Sequence, residues 1–573
     1  MPPLGLRHRS LIAILLLASV ACTTPNTGVR GSESTDARAV GSTGQKRIIA
    51  AVLSDPPTIS SEFIGIGSGT IQGGGALEEL TNRGLSVQDN RGTLVAQLAE
   101  AVPSVENGLW QLLPDGRMET TWKIKDRVSW HDGTPFTSSD LVFTIQLGQD
   151  RDLPVFGHNG FDSIASVDAP DARTIVIRWK RPYVDADSLF TRRFGFPRPR
   201  HVLEQVYLDN KDAIGQQPYW TEAYVGTGPF RVKQWVADSH VVLRANDAYV
   251  LGRPKIDEIE VRFIPNPNTL VANILAGEVE LTLGRSLQMS ETSALRDSWT
   301  KGAVAVGITD WIALWVQFVN PGQPLLLDAS FRKALVQAID RQQMVEVLES
   351  GAVPVAHSFI SPREAVYPEI EPSIVKYDFD PRRSGQLIEQ LGFTRGGDGM
   401  YQRPSGERLT LDVWTNPGHE ERILAITDYF KQAGIAAESF VIPDARRRDR
   451  EYNTSYPGVR LWRLPNSEDD IAHLHSREAP MPENRFSGGN RSRYMNPTFD
   501  ALIDQFMTTI PHTERVAILG QIVHHMTDQL PVIGIYYNAQ PTMIGARLKN
   551  VMPADSGNST EAWNAQDWDV VGS

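Results

Sequence analysis

The chain runs to 573 residues with a formal charge of −12, 41% apolar residues and one cysteine. That length supports several hydrophobic cores, and a single thiol leaves no disulfide framework to hold them. Basic residues fall in short clusters such as Arg446-Arg447-Arg448, which with the acidic balance argues against nucleic acid as a partner.

Arg7 and Arg9 precede an apolar run from Leu11 to Val20, broken only by Ser19. The run is too short to cross a bilayer, and it predicts an export signal over residues 1–21. Cys22 follows at once. This junction resembles the lipobox of bacterial lipoproteins, which implies acylation of Cys22. Ser19 stands where that motif usually has Leu, and ordinary cleavage after Ala21 is the alternative. A glyceride anchor brings at least two acyl chains, enough for stable membrane attachment. Residues 22–46, rich in Ser, Thr and Gly, read as a flexible linker between that anchor and the folded body.

Arg47 to Leu53 is a β-branched run stopped by Asp55-Pro56-Pro57, the pattern of a buried strand entering a loop. Gly65 to Gly75 is glycine-dense but matches neither a P-loop nor a dinucleotide fingerprint, so it reads as a loop before a helix over 76–85. From Thr120 to Trp130 apolar and polar residues alternate. Asp132-Gly133 then supplies a turn, and Thr137 with Asp140 a capping box. Val241–Leu243 and Ile259–Ile264 predict strands. Phe331 to Ile339 predicts a helix capped by Asp328, and Asp380-Pro381 and Asn496-Pro497 each predict a helix start. Pro531 to Tyr537 reads as a late strand, and the class is α/β.

Five blocks carry a resemblance. They are Trp122 to Asp140 with its His131-Asp132-Gly133-Thr134-Pro135 turn, Val225-Gly226-Thr227-Gly228-Pro229-Phe230, Arg244 to Pro254, Gly277-Glu278 with Glu280, and Phe331 to Arg341. In this order they resemble the extracytoplasmic solute-binding proteins of family 5, which serve peptide and nickel ABC importers. The resemblance implies an α/β, two-lobed periplasmic-binding-protein-like clamp of the large peptide-binding type. By similarity, lobe I takes residues 47–312 with 530–573, including an extra subdomain near 84–220. Lobe II takes 320–528, and hinge strands lie near 313–320 and 528–533. The implied function is capture of a peptide or peptide-like solute and delivery to the permease of an ABC importer. The implied molecule is a monomer without cofactor or enzymatic activity, lipid-anchored in the periplasm or on the outer face of the cell membrane. An oligosaccharide or a metal complex as the solute, or a secreted hydrolase, are the alternatives.

The motifs themselves describe a scaffold. Asp132-Gly133 satisfies backbone groups, Gly226 and Gly228 serve turn geometry, and Arg332 and Asp340 suit surface or interlobe contacts. Ligand candidates come from elsewhere. In peptide-binding members a tryptophan strand lines the cleft and an aspartate follows it to pair with the peptide amine; here Trp462 fits and Pro465 takes the aspartate position. Strand alternation puts Arg460 and Trp462 on one face and Leu461 and Arg463 on the other. Arg460 suits a carboxylate, a phosphate or a planar group. Trp414 and Asn416 follow a strand toward the cleft, and Gly67 and Ser68 are candidates for close backbone approach. No metal site is expected: His473 and His475 share a face on a strand but diverge on a helix, His524 and His525 diverge on theirs, and no cysteine or suitably spaced carboxylate accompanies them.

Overall fold

Ten strands share one sheet in the computed structural model, which describes residues 45–64 and 72–571. The signal, Cys22, nearly all of the expected linker, and Gly67 and Ser68 lie outside the described residues. In chain order the strands are β1 (Arg47–Val52), β2 (Phe230–Val236), β3 (His240–Ala245), β4 (Glu258–Phe263) and β5 (Leu281–Thr282). They continue with β6 (Gly302–Val316), β7 (Thr410–Thr415), β8 (Ala436–Val441), β9 (Val459–Pro465) and β10 (Val532–Gly545). Their spatial order is β8-β7-β9-β6-β10-β5-β1-β4-β3-β2.

Parallel pairs occupy both halves of this sheet: β1 with β4 and β5 on one side, β7 with β8 and β9 on the other. The long antiparallel pair β6–β10 joins the halves, running from Gly302 opposite Gly545 to Trp315 opposite Val532 with register shifts at Ile308/Asp310 and Ile312/Ala313. Only the first half of β10 is apparent from its apolar run. The strand continues through Pro541, which faces Val306, to Gly545. Likewise β6 begins at Gly302, not near Ala313, and ends at Val316. Gly307 disguises it. A Cβ there would lie 2.0 Å from the carbonyl oxygen of Ala554, so close packing demands a glycine inside a strand.

Apolar faces gather into separate cores. One surrounds β6, β7, β9 and β10 with the helices of residues 329–530. A second joins β1, β3 and β4 to the C-terminal Leu548–Val570 stretch. A third fills residues 85–194 around a four-stranded sheet whose central strand, Met118–Lys123, alternates buried and part-exposed residues.

Local signals hold where chemistry is local. Thr137 and Asp140 form a reciprocal capping box, Asp328 accepts from the Ser330 amide, and Asp380 and Asn496 cap the proline-led helices. Asp132 accepts from the Thr134 amide at 3.0 Å, beside Gly133 at φ +91°. Two expectations need correction. Gly226 and Gly228 do not have left-handed backbones; they lie so close to the Thr81 carbonyl group at a helix C-terminus that a Cβ would come within 2.0 and 2.4 Å. Arg332 is not a surface residue either. It is 2% exposed and donates at 2.7 Å to the carbonyls of Gln529 and Leu326, tying its helix to the chain entering β10.

Candidate functional site

Strand β9 sits between β6 and β7, and its alternation divides two kinds of residue. Leu461 is 1% exposed in the core, while Arg460 and Trp462 turn to a common cavity of about 380 Å³. Arg463 faces away and approaches Asp310 at 3.8 Å. Asn416, just past the end of β7, joins the cavity and accepts from Arg460 at 2.9 Å. So three residues expected from sequence (Asn416, Arg460 and Trp462) converge.

Trp414 does not line this cavity. Its register opposite Phe440 in parallel β8 packs the two rings 4.5 Å apart, and Tyr452 closes on the indole at 5.3 Å. It backs the site and does not face it.

The other cations of the cavity are not among the ligand candidates expected from sequence, although Arg447 stands in a basic cluster. Arg491 reaches in from the loop before the helix Pro497–Thr508, and Arg447 and Arg450 come from the segment after β8. The guanidinium groups of Arg460 and Arg491 lie 4.4 and 4.8 Å from the Trp462 ring centroid. Arg460 is 1% exposed, and its partners are neutral: the carbonyl of Asn453 and the side chains of Asn416 and Asn453. Burial lowers the Arg460 pKa to about 10, and burial also lowers those of Arg491 and Arg493. Arg493 donates to the neutral amide of Gln317 at 3.1 Å. Among the described residues, no carboxylate pairs with any of these three arginines.

Trp462 also borders a second cavity of about 320 Å³, which shares Arg491 too. Trp311, Trp315, Phe359 and Met526 make it apolar. Pro465 is here, as is Asp470, which lies 3.4 Å from His473. His475 is near Asp500 and Asp504, His524 near the Ser373 carbonyl, and His525 near the Tyr494 hydroxyl, so each pair of histidines has separate neighbours. Among the described residues, no group of three or more His, Cys, Asp or Glu side chains suits a metal ion. His131 has a structural position: Nδ1 accepts from the Gly226 amide at 3.2 Å, and Nε2 lies 3.1 Å from the Gly228 carbonyl.

A profile described as bacterial extracellular solute-binding proteins, family 5 Middle, matches residues 94–477. The chain belongs to this family. As a family 5 protein it is extracytoplasmic, and it binds solute without transforming it. It is 30% identical over 481 residues to a Brucella melitensis protein named for ABC-transporter peptide binding, covering 81% of this chain and 84% of the relative. The oligopeptide-binding protein AppA of Bacillus subtilis, solved with a nonapeptide, superposes with a TM-score of 0.67 at 19% identity, over 92% of this chain and 100% of AppA. NikA of Brucella suis, solved with Fe(III)-EDTA, superposes with a TM-score of 0.73 at 17% identity, over 92% and 100%. The fold is therefore the α/β architecture of the oligopeptide-binding proteins.

Proposed function

We infer that this family 5 protein captures a peptide or peptide-like solute and delivers it to the permease of an ABC importer. One observation carries the reading: Trp462 and Arg460 on β9 and Asn416 just past β7 converge on a single cavity. The names of the Brucella melitensis relative and of AppA support a peptide as the solute.

In this reading, residues 47–312 with 530–573 form one lobe, with 84–220 as its subdomain, and 320–528 form the other. In support, one core draws only on Ile48–Leu283 and Leu548–Val570, while another gathers most of its residues from 313–526 but also takes in Met289, Ile308–Ile312 and Leu530–Ala539. Hinge stretches near 313–320 and 528–533 let the lobes close on the solute. Contacts from both lobes exist only in the closed form, so the solute shifts the population toward it. Cys22 carries the lipid anchor, and a monomer presents the closed form to the importer.

The test is binding without turnover. Native mass spectrometry of gently purified protein should find a co-purified peptide, and adding that peptide back should raise the Tm. Mass action makes this stabilisation about 2.7 kcal/mol at a hundredfold excess over Kd. A Trp462→Ala protein that binds the same peptide with full affinity would place the site elsewhere. For the anchor, Cys22→Ala should release the protein from membranes.

A further inference from the structure

An unpaired buried charge is costly, and where buried arginines of this chain lack acids elsewhere, as Arg332 and Arg341 do, they donate to backbone carbonyls within the packed fold. Here Arg460 and Arg493, 1% and 5% exposed, and the half-buried Arg491 lie close around the Tyr456–Trp462 stretch with neutral partners only. The Nε of Arg460 is buried with no hydrogen-bond partner. Arg447 and Arg450 add two more cations at the mouth of the same cavity. Its wall is also strained. Arg485 and Phe486 take φ of +56° and +54°, and Phe486 borders the cavity. A bulky residue rarely adopts that backbone unless the surroundings impose it, and such outliers cluster at ligand clamps. Beside this charged cavity, sharing Trp462 and Arg491 with it, lies the mostly apolar one lined by Trp311, Trp315 and Met526.

We propose that the solute is anionic: it presents a carboxylate or phosphate to Arg460 and Arg491, and lays an apolar portion in the adjoining tryptophan-lined cavity. This rests on the reading of the Trp462 cavity as the solute site. The guest supplies the negative charge that the fold withholds, and the two guanidinium groups, already held against Trp462, lose little freedom on binding it.

The experiment is calorimetric titration of the mature chain at constant ionic strength with three probes: the tetrapeptides Glu-Leu-Glu-Leu and Gln-Leu-Gln-Leu, both with amidated C-termini so that only the first carries carboxylates, and pyrophosphate. The acidic peptide should bind at least about tenfold tighter than its amide counterpart, as expected for charge-assisted hydrogen bonds. Pyrophosphate should compete with it. Arg491→Gln should erase the acidic preference, and Arg450→Gln, at an exposed position where folding is secure, should weaken it several-fold. Equal affinity for both peptides, abolished by Trp462→Ala but untouched by Arg491→Gln, would overturn the anion assignment and leave peptide capture standing. Arg491-dependent stabilisation by pyrophosphate without binding of either peptide would keep the anion assignment and remove the peptide reading. No binding by any probe would overturn both.

Discussion

Two buried arginines in different parts of the fold, Arg198 and Arg460, meet different fates. Arg198 lies 2.6 Å from Glu62 and 3.5 Å from Glu78, and also donates to Ser60. Burial pulls its pKa down, yet the two carboxylates outweigh that and hold it above its ordinary value. Of those carboxylates, burial still leaves Glu78 raised, while Arg198 and His158 overcome burial and lower Glu62. Arg460 is equally buried and has only amides and a carbonyl for partners. The difference lies in what each can do: Arg198 is matched by its own chain's acids and fixes the fold, whereas Arg460 is unmatched and borders an open cavity.

The same substitution at both sites breaks the comparison most directly. Arg198→Met strands Glu62 and Glu78 in the interior and should cost about 3–5 kcal/mol, read from the urea midpoint. Arg460→Met should change stability by no more than about 1 kcal/mol, because it removes an uncompensated charge along with its hydrogen bonds. A large loss at 460, or a small one at 198, would erase the distinction.

His131 sharpens the contrast with a third strategy, staying neutral. Burial lowers its pKa from 6.5 to about 4, and its Nδ1 must remain unprotonated to accept from Gly226. The unfolded chain therefore binds the proton first. The stabilisation is complete above pH 6.5 and is lost as pH falls toward 4, by about 3 kcal/mol in total. His131→Asn should flatten that part of the stability–pH curve, and an unchanged curve would show that the histidine contributes nothing there.

At the site itself, Arg460→Gln should weaken solute binding by about 1.5–3 kcal/mol in calorimetry, as for hydrogen bonds to a charged group. Trp414→Leu should matter least. Its ring packs on Phe440 and Tyr452 outside the cavity, so binding should change by no more than about threefold, or some 0.6 kcal/mol.

The legible parts of the site were those with short-range causes. Period-two alternation on β9 is sufficient to put Arg460 beside Trp462 and to send Arg463 to the other face. The same reasoning extends too far at Trp414, because the register of β7 against β8 decides what covers that ring. Arg491 carries no local signal, since nothing nearby in its sequence says that its loop folds over Trp462. Glycine and proline mislead for a related reason: Gly307 and Pro541 look like strand ends, yet both lie inside the pair that joins the two halves of the sheet.

The sequence by itself determined the caps, the turns, the alternation of β9 and the family blocks, because each depends on bonds or spacings spanning a few residues. Only the tertiary structure decided which arginines have acids beside them. Neutralising a buried charge depends on distances of a few ångströms between residues far apart in the chain: Glu62 reaches Arg198, and no described carboxylate pairs with Arg460.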